Sequence, residues 1–368
     1  MNMKINVPGK VLLLGGYAVL DNYPALSIGV LDEHNKGVIA EVSESPEFRL
    51  ISEEFGINKI IKENDNKFEG TEKVTGTAFE LTLKYISSKK KLKPVTIKLN
   101  NSPIFGSKDE KSGMGSSAAS TVAVVAALFE SQGMNIDSNR DEIHKIAQIA
   151  HSAATGKVGS GFDIACSSYG TMEYVRFPSS LINLSELTKE TLVKSVDSKW
   201  EMKAKEVPFN YELLIFNVKS SSTSTTKAVK ATNVLKEKDK EMYKSLIKMQ
   251  ADGEKIAFDG FYSNKVDKVK EGISKAREAQ RKFSIEVSKY VEDFIPIEPK
   301  EFTPFMDEVV ERGYALAARC PGAGGYDSIV FVSKDTKTID KIIELSKKYN
   351  LNIEYLPCKI SKKGAHLI

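Results

Sequence analysis

The run Lys111-Ser112-Gly113-Met114-Gly115-Ser116-Ser117-Ala118-Ala119-Ser120 limits how this chain can fold more than any other segment. Its glycines let the backbone approach an anion closely, and its serines suit the cap of a helix. A helix has to begin here, because residues 118–129 form the longest apolar stretch of the chain. Small alanines allow that helix to pack closely. The free N–H groups and macrodipole at its start favour negative charge, and serine hydroxyls can donate to phosphate oxygens or bind Mg²⁺. The stretch is well short of the ~20 residues that a membrane-spanning helix needs.

An ordinary glycine turn with a serine-capped helix has the same local sequence. Two nucleotide motifs are excluded by context. Gly113, Gly115 and Ala118 fit G-x-G-x-x-G/A in form, but the strand expected over residues 95–99 is separated from them by a charged loop. No acidic residue ends a strand about twenty positions on, so a dinucleotide fold does not follow. The Walker A pattern has no match, since Gly9-Lys10 and Gly156-Lys157 are each followed by Val.

Composition narrows the class further. At 368 residues the length suggests two domains, and the cut is expected near 208/209, giving 1–208 and 209–368. With 53 basic and 49 acidic side chains the net charge is only +4, without the basic block of a nucleic-acid binder. Cys166, Cys320 and Cys358 are far apart, form no CxxC, and read as small buried hydrophobes in a reducing cytoplasm. The apolar run at 11–14 is broken by Gly15 and Gly16, too soon for a signal peptide. No membrane partner is expected, and the state is monomer or homodimer.

Short strands are expected at 4–7, 10–14, 25–30, 38–43 and 48–51, with a helix at 75–86 and a half-buried strand over the alternating 95–99. After the glycine loop come helices to about 132 and over 141–154, then a strand at 171–177. Residues 178–199 read as a polar, irregular surface excursion. Two or three Lys-rich helices fill 226–291. Later come a helix near 304–312, a second helix at 336–349 and a last strand at 353–356. Strands first and long helices later make this an α+β chain.

Other loops carry chemistry. Lys10 stands between a Pro8-Gly9 turn and an apolar run, placed to project into a cleft. Gly156-Lys157-Val158-Gly159-Ser160-Gly161-Phe162-Asp163 groups Lys for charge, Ser for a hydrogen bond and Asp for a cation or proton. Pro321-Gly322-Ala323-Gly324-Gly325 is a backbone nest of the anion-binding kind. The Ser/Thr run with Ser222, Thr223, Ser224 and Thr225, ahead of a helix, is an anion site or a flexible linker. Their joint presence suggests two phosphorylated ligands meeting at a cleft.

Together these segments resemble the GHMP kinase superfamily, in order and over nearly the whole chain. PGKVLLLGGY, KSGMGSSAAS and CPGAGGYD are similar to its three motifs. AHSAATGKVGSGFD (150–163) and PGKVLLLGGYAVLD (8–21) are most similar to the phosphomevalonate kinases. The resemblance implies a ribosomal S5 domain 2-like amino-terminal domain, a ferredoxin-like carboxy-terminal domain, and ATP, Mg²⁺ and 5-phosphomevalonate as ligands.

By the same resemblance Lys10 and Asp163 are the catalytic positions. Lys111, Gly113, Met114, Gly115, Ser116, Ser117 and Ala118 wrap the ATP phosphates, with Ser117 as metal ligand. Lys157, Ser160, Gly161, Ser222, Thr223, Ser224, Thr225, Gly324 and Gly325 lie toward the acceptor. Two departures stand out. Tyr326 replaces a usual glycine of the third motif, and His151-Ser152-Ala153-Ala154 lacks the metal-binding Glu of mevalonate kinases. A hydroxyl-phosphorylating member such as mevalonate kinase is the nearest alternative, and a non-catalytic binding protein on this fold is a more distant one.

Overall fold

The computed structural model describes residues 2–53, 56–62, 70–106, 112–218 and 225–368, with the side chains of 70–71 and 225–226 excepted. Along the chain come β1 (Asn2–Val7), β2 (Gly9–Leu14), β3 (Ala25–Asp32), β4 (Val38–Glu44), β5 (Arg49–Ser52), β6 (Ile57–Ile60), α1 (Gly70–Ser87) and β7 (Val95–Asn101). Next are α2 (Ser116–Ser131), α3 (Arg140–Thr155), α4 (Phe162–Tyr169), β8 (Met172–Val175), α5 (Lys189–Asp197) and β9 (Lys203–Glu206). Then follow β10 (Glu212–Val218), α6 (Thr225–Lys238), α7 (Lys240–Ser263), α8 (Val266–Ser288), α9 (Phe302–Glu311) and β11 (Ala317–Arg319). The chain finishes with β12 (Ser328–Ser333), α10 (Ile339–Lys348), β13 (Ile353–Leu356), β14 (Cys358–Ser361) and β15 (His366–Leu367).

Two compact units result. One comprises Met1–Lys10, Ser27–Lys205 and Ser361–Ile368, the other Val11–Leu26 and Glu206–Ile360. The chain therefore passes between units not only after Lys205 but also at Lys10, Leu26 and Ile360, which no single cut describes.

The first unit holds a sheet ordered β15-β1-β4-β7-β5-β6, antiparallel except for β5 beside β7. Alternation explains β7: Val95, Ile97 and Leu99 are buried while Thr96 and Lys98 are half-exposed. Helix α2 is buried from Ala118 through Phe129 and packs among α1, α3, α4 and the strands β1, β4 and β7. A helix apolar on every side needs such surroundings. Strands β3, β8 and β9 lie side by side in a second sheet.

The second unit has the antiparallel sheet β11-β12-β10-β13. Phe302, Phe305, Met306 and Val309 of α9 and Ile342 and Leu345 of α10 pack with Leu214, Phe216, Ile329 and Phe331 of the sheet. Helices α6, α7 and α8 form a separate cluster with Tyr17 and Ala18, where Tyr17 stacks on Phe283 at 5.9 Å. The Lys-rich pair α7 and α8 meets along glycines. A Cβ on Gly272 would lie 2.2 Å from Ala257 N, and one on Gly253 would lie 2.6 Å from Ala276 N. The close approach therefore depends on glycine at both positions.

Two expectations are corrected. Residues 178–199 are not an irregular excursion throughout. Thr188 and Thr191 form a capping box that starts α5, and its Leu192 and Val196 are fully buried. Trp200 follows, packed on Phe177 at 4.6 Å. Cys166 and Cys320 are buried, but Cys358 is partly exposed.

The carboxy-terminal segment is integral to the first unit. Leu367 pairs with Ile5, Ala365 N donates to Ser167 O at 2.9 Å, and Arg140 Nη1 donates to Ala365 O at 3.0 Å. A Cβ on Gly364 would lie 2.0 Å from Ser168 O. Deleting residues 361–368 is expected to lower the first thermal transition by about 5–10 °C, as read by circular dichroism, because it strips the edge of β1 and the anchor of α4.

Candidate functional site

The glycine loop ends in two left-handed residues, Gly113 (φ 73°) and Gly115 (φ 81°). Gly115 is the N-cap of α2 and offers no side chain, so no capping bond covers the helix start. The first intrahelical bond there runs from Ala119 N to Gly115 O, which leaves the N–H groups of residues 116–118 outside the helix ladder. Gly113 and Ser117 are exposed, Ser116 is half-buried and Met114 is buried as the loop's anchor. Uncapped N–H groups beside an exposed hydroxyl make an anion site.

Lys10 is tied to this loop twice. Its N–H donates to Met114 O at 2.8 Å, and its Nζ donates to Gly113 O at 2.7 Å. Two missing side chains make that possible. A Cβ on Gly9 would lie 2.5 Å from Met114 O and 2.4 Å from the Phe105 ring. A Cβ on Gly115 would lie 2.9 Å from Lys10 Cε. The ammonium also sits 5.7 Å from the centroid of Phe162, at the start of α4. Burial lowers the proton affinity of Lys10, and the charge of Asp163 opposes that shift. Asp163 is half-buried on the first turn of α4, and its Oδ1 accepts from Ile164 N at 2.9 Å. It thus acts on Lys10 through its field.

The turn at 156–161 is held from behind. Gln148 Nε2 donates to Gly161 O at 2.6 Å, Tyr174 OH to Ser160 O at 2.8 Å, and Arg176 Nη2 to Gly159 O at 2.8 Å. Lys157 is exposed and Ser160 half-buried at the front. Gln148 also lies 3.0 Å from His144 Nε2, and burial pushes the His144 imidazole down to about 3, so it is neutral and accepts. Behind Lys10, burial pushes the Cys166 thiol up to about 12, so it stays protonated.

On α3, His151 Nε2 lies 3.3 Å from Ser117 Oγ. An imidazole therefore faces this hydroxyl. Among the described residues no group of three or more His, Cys, Asp or Glu could hold a metal. Ser117 Oγ is a hard oxygen donor of the kind a divalent cation would take beside oxygens from phosphates and water.

In the second unit the loop at 321–325 has left-handed Gly322, Gly324 and Gly325. Gly324 N donates to Pro321 O and Gly325 N to Ile297 O, so these buried N–H groups are engaged within the unit. Tyr326 turns away from the turn, edge-on to Phe302 at 5.5 Å with its OH 3.2 Å from Glu301.

The first unit thus gathers Lys10, Gly113, Met114, Gly115, Ser116, Ser117, Ala118, Lys157, Ser160, Gly161 and Asp163. Gly324 and Gly325 belong to the second unit, and Thr225 opens α6 there. Lys111, Ser222, Thr223 and Ser224 lie outside the described residues. The sequence reading did not single out Phe162, Arg176, Gln148 or His144. Only Phe162 had a signal, its place beside Asp163; the others act through tertiary contacts.

Residues 74–171 match the family model of the GHMP kinases N terminal domain. The peroxisomal phosphomevalonate kinase of Arabidopsis thaliana is 30% identical over 277 residues, 61% of this chain and 55% of that protein. The phosphomevalonate kinase of Saccharolobus solfataricus is 28% identical over 92% of both chains. The chain spans about half the length of the plant and fungal relatives it matches, 51% to 57%. The structure of Streptococcus pneumoniae phosphomevalonate kinase in complex with phosphomevalonate and AMPPNP superposes with a TM-score of 0.73, at 17% identity over 98% of this chain and 99% of that one. This last likeness is one of fold, and the fold is that of the GHMP kinases.

Gly115→Ala should cost about 1–2 kcal/mol for its left-handed backbone and also displace Lys10. The expected result is loss of nucleotide affinity in titration calorimetry with the protein still folded. His144 supplies a pH test. Its folded proton affinity is depressed, so between about 3 and 6.5 the unfolded chain binds more protons and stability falls as pH falls. In that window wild type should lose up to about 1.4 kcal/mol per pH unit more than His144→Gln in urea unfolding.

Proposed function

We propose that this chain, a member of the GHMP kinase superfamily, transfers the terminal phosphoryl group of ATP to 5-phosphomevalonate, giving 5-diphosphomevalonate and ADP in isoprenoid synthesis. The observation that carries the reading is the fastening of Lys10, through N–H and Nζ, to a glycine loop whose helix start is uncapped. It is supported by the relatives' name, phosphomevalonate kinase, and by the pairing of phosphomevalonate with AMPPNP in the Streptococcus pneumoniae structure.

A phosphate monoester with its second pKa near ~6 is mostly a dianion at neutral pH, and so is already a nucleophile. The obstacle is repulsion. Two unit charges 4 Å apart repel by about 4 kcal/mol at an effective dielectric near 20, and the two substrates bring several. Lys10 and the N–H groups of Gly115, Ser116, Ser117 and Ala118 face the nucleotide phosphates. Lys111, Gly113 and Met114 complete that wrapping. Lys157, Ser160 and Gly161 are assigned to the acceptor, as are Ser222, Thr223, Ser224, Thr225, Gly324 and Gly325. A bound Mg²⁺, held in part by Ser117 Oγ, supplies neutralisation of phosphate charge. Three free cysteines suit a reducing, cytoplasmic setting. Among the described residues, no helix is long and apolar enough to cross a membrane.

Asp163 in this reading keeps Lys10 protonated and oriented, and removes no proton from the acceptor. Offering mevalonate, 5-phosphomevalonate and homoserine in turn should release ADP with the second alone. Equal release with mevalonate would reassign the acceptor. Asp163→Asn removes a charge that raises the Lys10 proton affinity, so Lys10 should lose its proton at lower pH. The basic limb of kcat/KM should move down in pH, and a loss restored near the pKa of a hydroxyl acceptor would instead make Asp163 a base.

A further inference from the structure

Two glycine segments of the second unit converge on one buried side chain. Glu254 of α7 is 1% exposed, and its Oε1 accepts from Gly15 N at 2.8 Å, Arg319 Nη2 at 2.7 Å and Gln250 Nε2 at 3.0 Å. Gln250 also donates to Gly15 O at 2.9 Å, so the peptide groups around Gly15 are gripped on both sides. Arg319 ends β11 and leads directly into the 321–325 loop. Two further bonds join the same segments: Gly322 N to Leu12 O at 3.0 Å, and Tyr17 OH to Ala323 O at 3.0 Å. Gly16 allows the close fit, because a Cβ there would lie 2.9 Å from Gln280 Nε2 and 3.2 Å from Gln250 Nε2.

This cluster is poorly explained by stability. Glu254 Oε2, Arg319 Nη1 and Gln280 Nε2 are buried without a partner. A buried ion pair carries a desolvation cost that apolar residues of similar volume avoid. Here two charges and two amides occupy a place that could have been greasy. What the polar groups provide, and apolar ones could not, is a set of directed bonds to backbone atoms of two different loops.

We infer that Glu254 is a positioning residue for the loops that the second unit contributes to acceptor binding. It holds the turn at 15–17 and the loop at 321–325 in one fixed relation, directly at Gly15 and through Arg319 at the loop. The inference rests on the kinase reading for the role of Gly324 and Gly325. The nucleotide loop at 113–118 is in the other unit and shares none of these bonds.

The test compares Glu254→Leu, Glu254→Gln and wild type, with folding checked by circular dichroism. Glu254→Leu should raise the acceptor KM about tenfold or more while the ATP KM stays within about twofold. Glu254→Gln keeps a carbonyl oxygen for Gly15 and Arg319 and should come within about threefold of wild type. Hydrogen exchange should quicken at 15–17 and 322–325 in Glu254→Leu, with 113–118 unchanged. An unaltered acceptor KM, equal changes in both KM values, or unchanged exchange at the two loops would each overturn the inference. If Glu254→Leu does not fold, Gln250→Met, which removes the bond to Gly15 O and leaves the ion pair, takes its place with the same outcomes. Wild type that releases no ADP with any acceptor would refute the kinase reading, and the exchange comparison would still decide whether Glu254 couples the loops.

Discussion

The attachment of Lys10 to the glycine loop is the constraint on which the site depends. One bond uses the backbone of Lys10 and the other its ammonium, so strand β2 and the start of α2 are registered to each other at two points. Neither bond survives added volume. Gly9 lies against Met114 O and Phe105, and Gly115 lies against the Lys10 stem. The rest of the first unit serves this junction. Buried α2 gives the loop a rigid base, and Ser167 Oγ donates to Pro8 O at 2.9 Å to hold the residue before Gly9.

Charge is arranged on the same plan. Burial makes a proton on Lys10 less favourable, and Asp163 counters that without bonding to the ammonium. Helices α2 and α4 both begin at left-handed glycines that supply no cap side chain, and in α4 the Asp163 carboxylate takes the Ile164 N–H. A net charge of +4 is therefore no obstacle to binding phosphates. Fixed dipoles and a few lysines act locally, where global charge would act only over distances that salt screens.

Much of this was legible in the chain. The helix after Gly115, the alternating strand β7 and the glycine loops follow from local rules about φ, period and side-chain volume. The α+β class follows from their order. The less legible parts have a common cause. Helix α5 begins at a Thr188–Thr191 capping box in a polar stretch, and it is stable because Leu192 and Val196 find a core. The Lys-rich composition of α7 and α8 concealed glycines that bring two backbones together. Gln148, Tyr174 and Arg176 bind carbonyls of the 156–161 turn from 13 to 17 residues away, and His144 acts through Gln148. No spacing rule links such residues.

By itself the sequence determined where the backbone can turn, where a helix can start without a cap, and which side chains with the chemistry of phosphate binding stand near those points. These are properties of residues and near neighbours, and they carry over into any fold the chain adopts. Tertiary structure decided the partners: Lys10 with Gly113 and Met114, His151 with Ser117, Glu254 with Gly15 and Arg319. Those pairings join residues 34 to 239 positions apart. Only packing, which brings distant segments together and takes them out of water, gives such contacts their geometry and their strength.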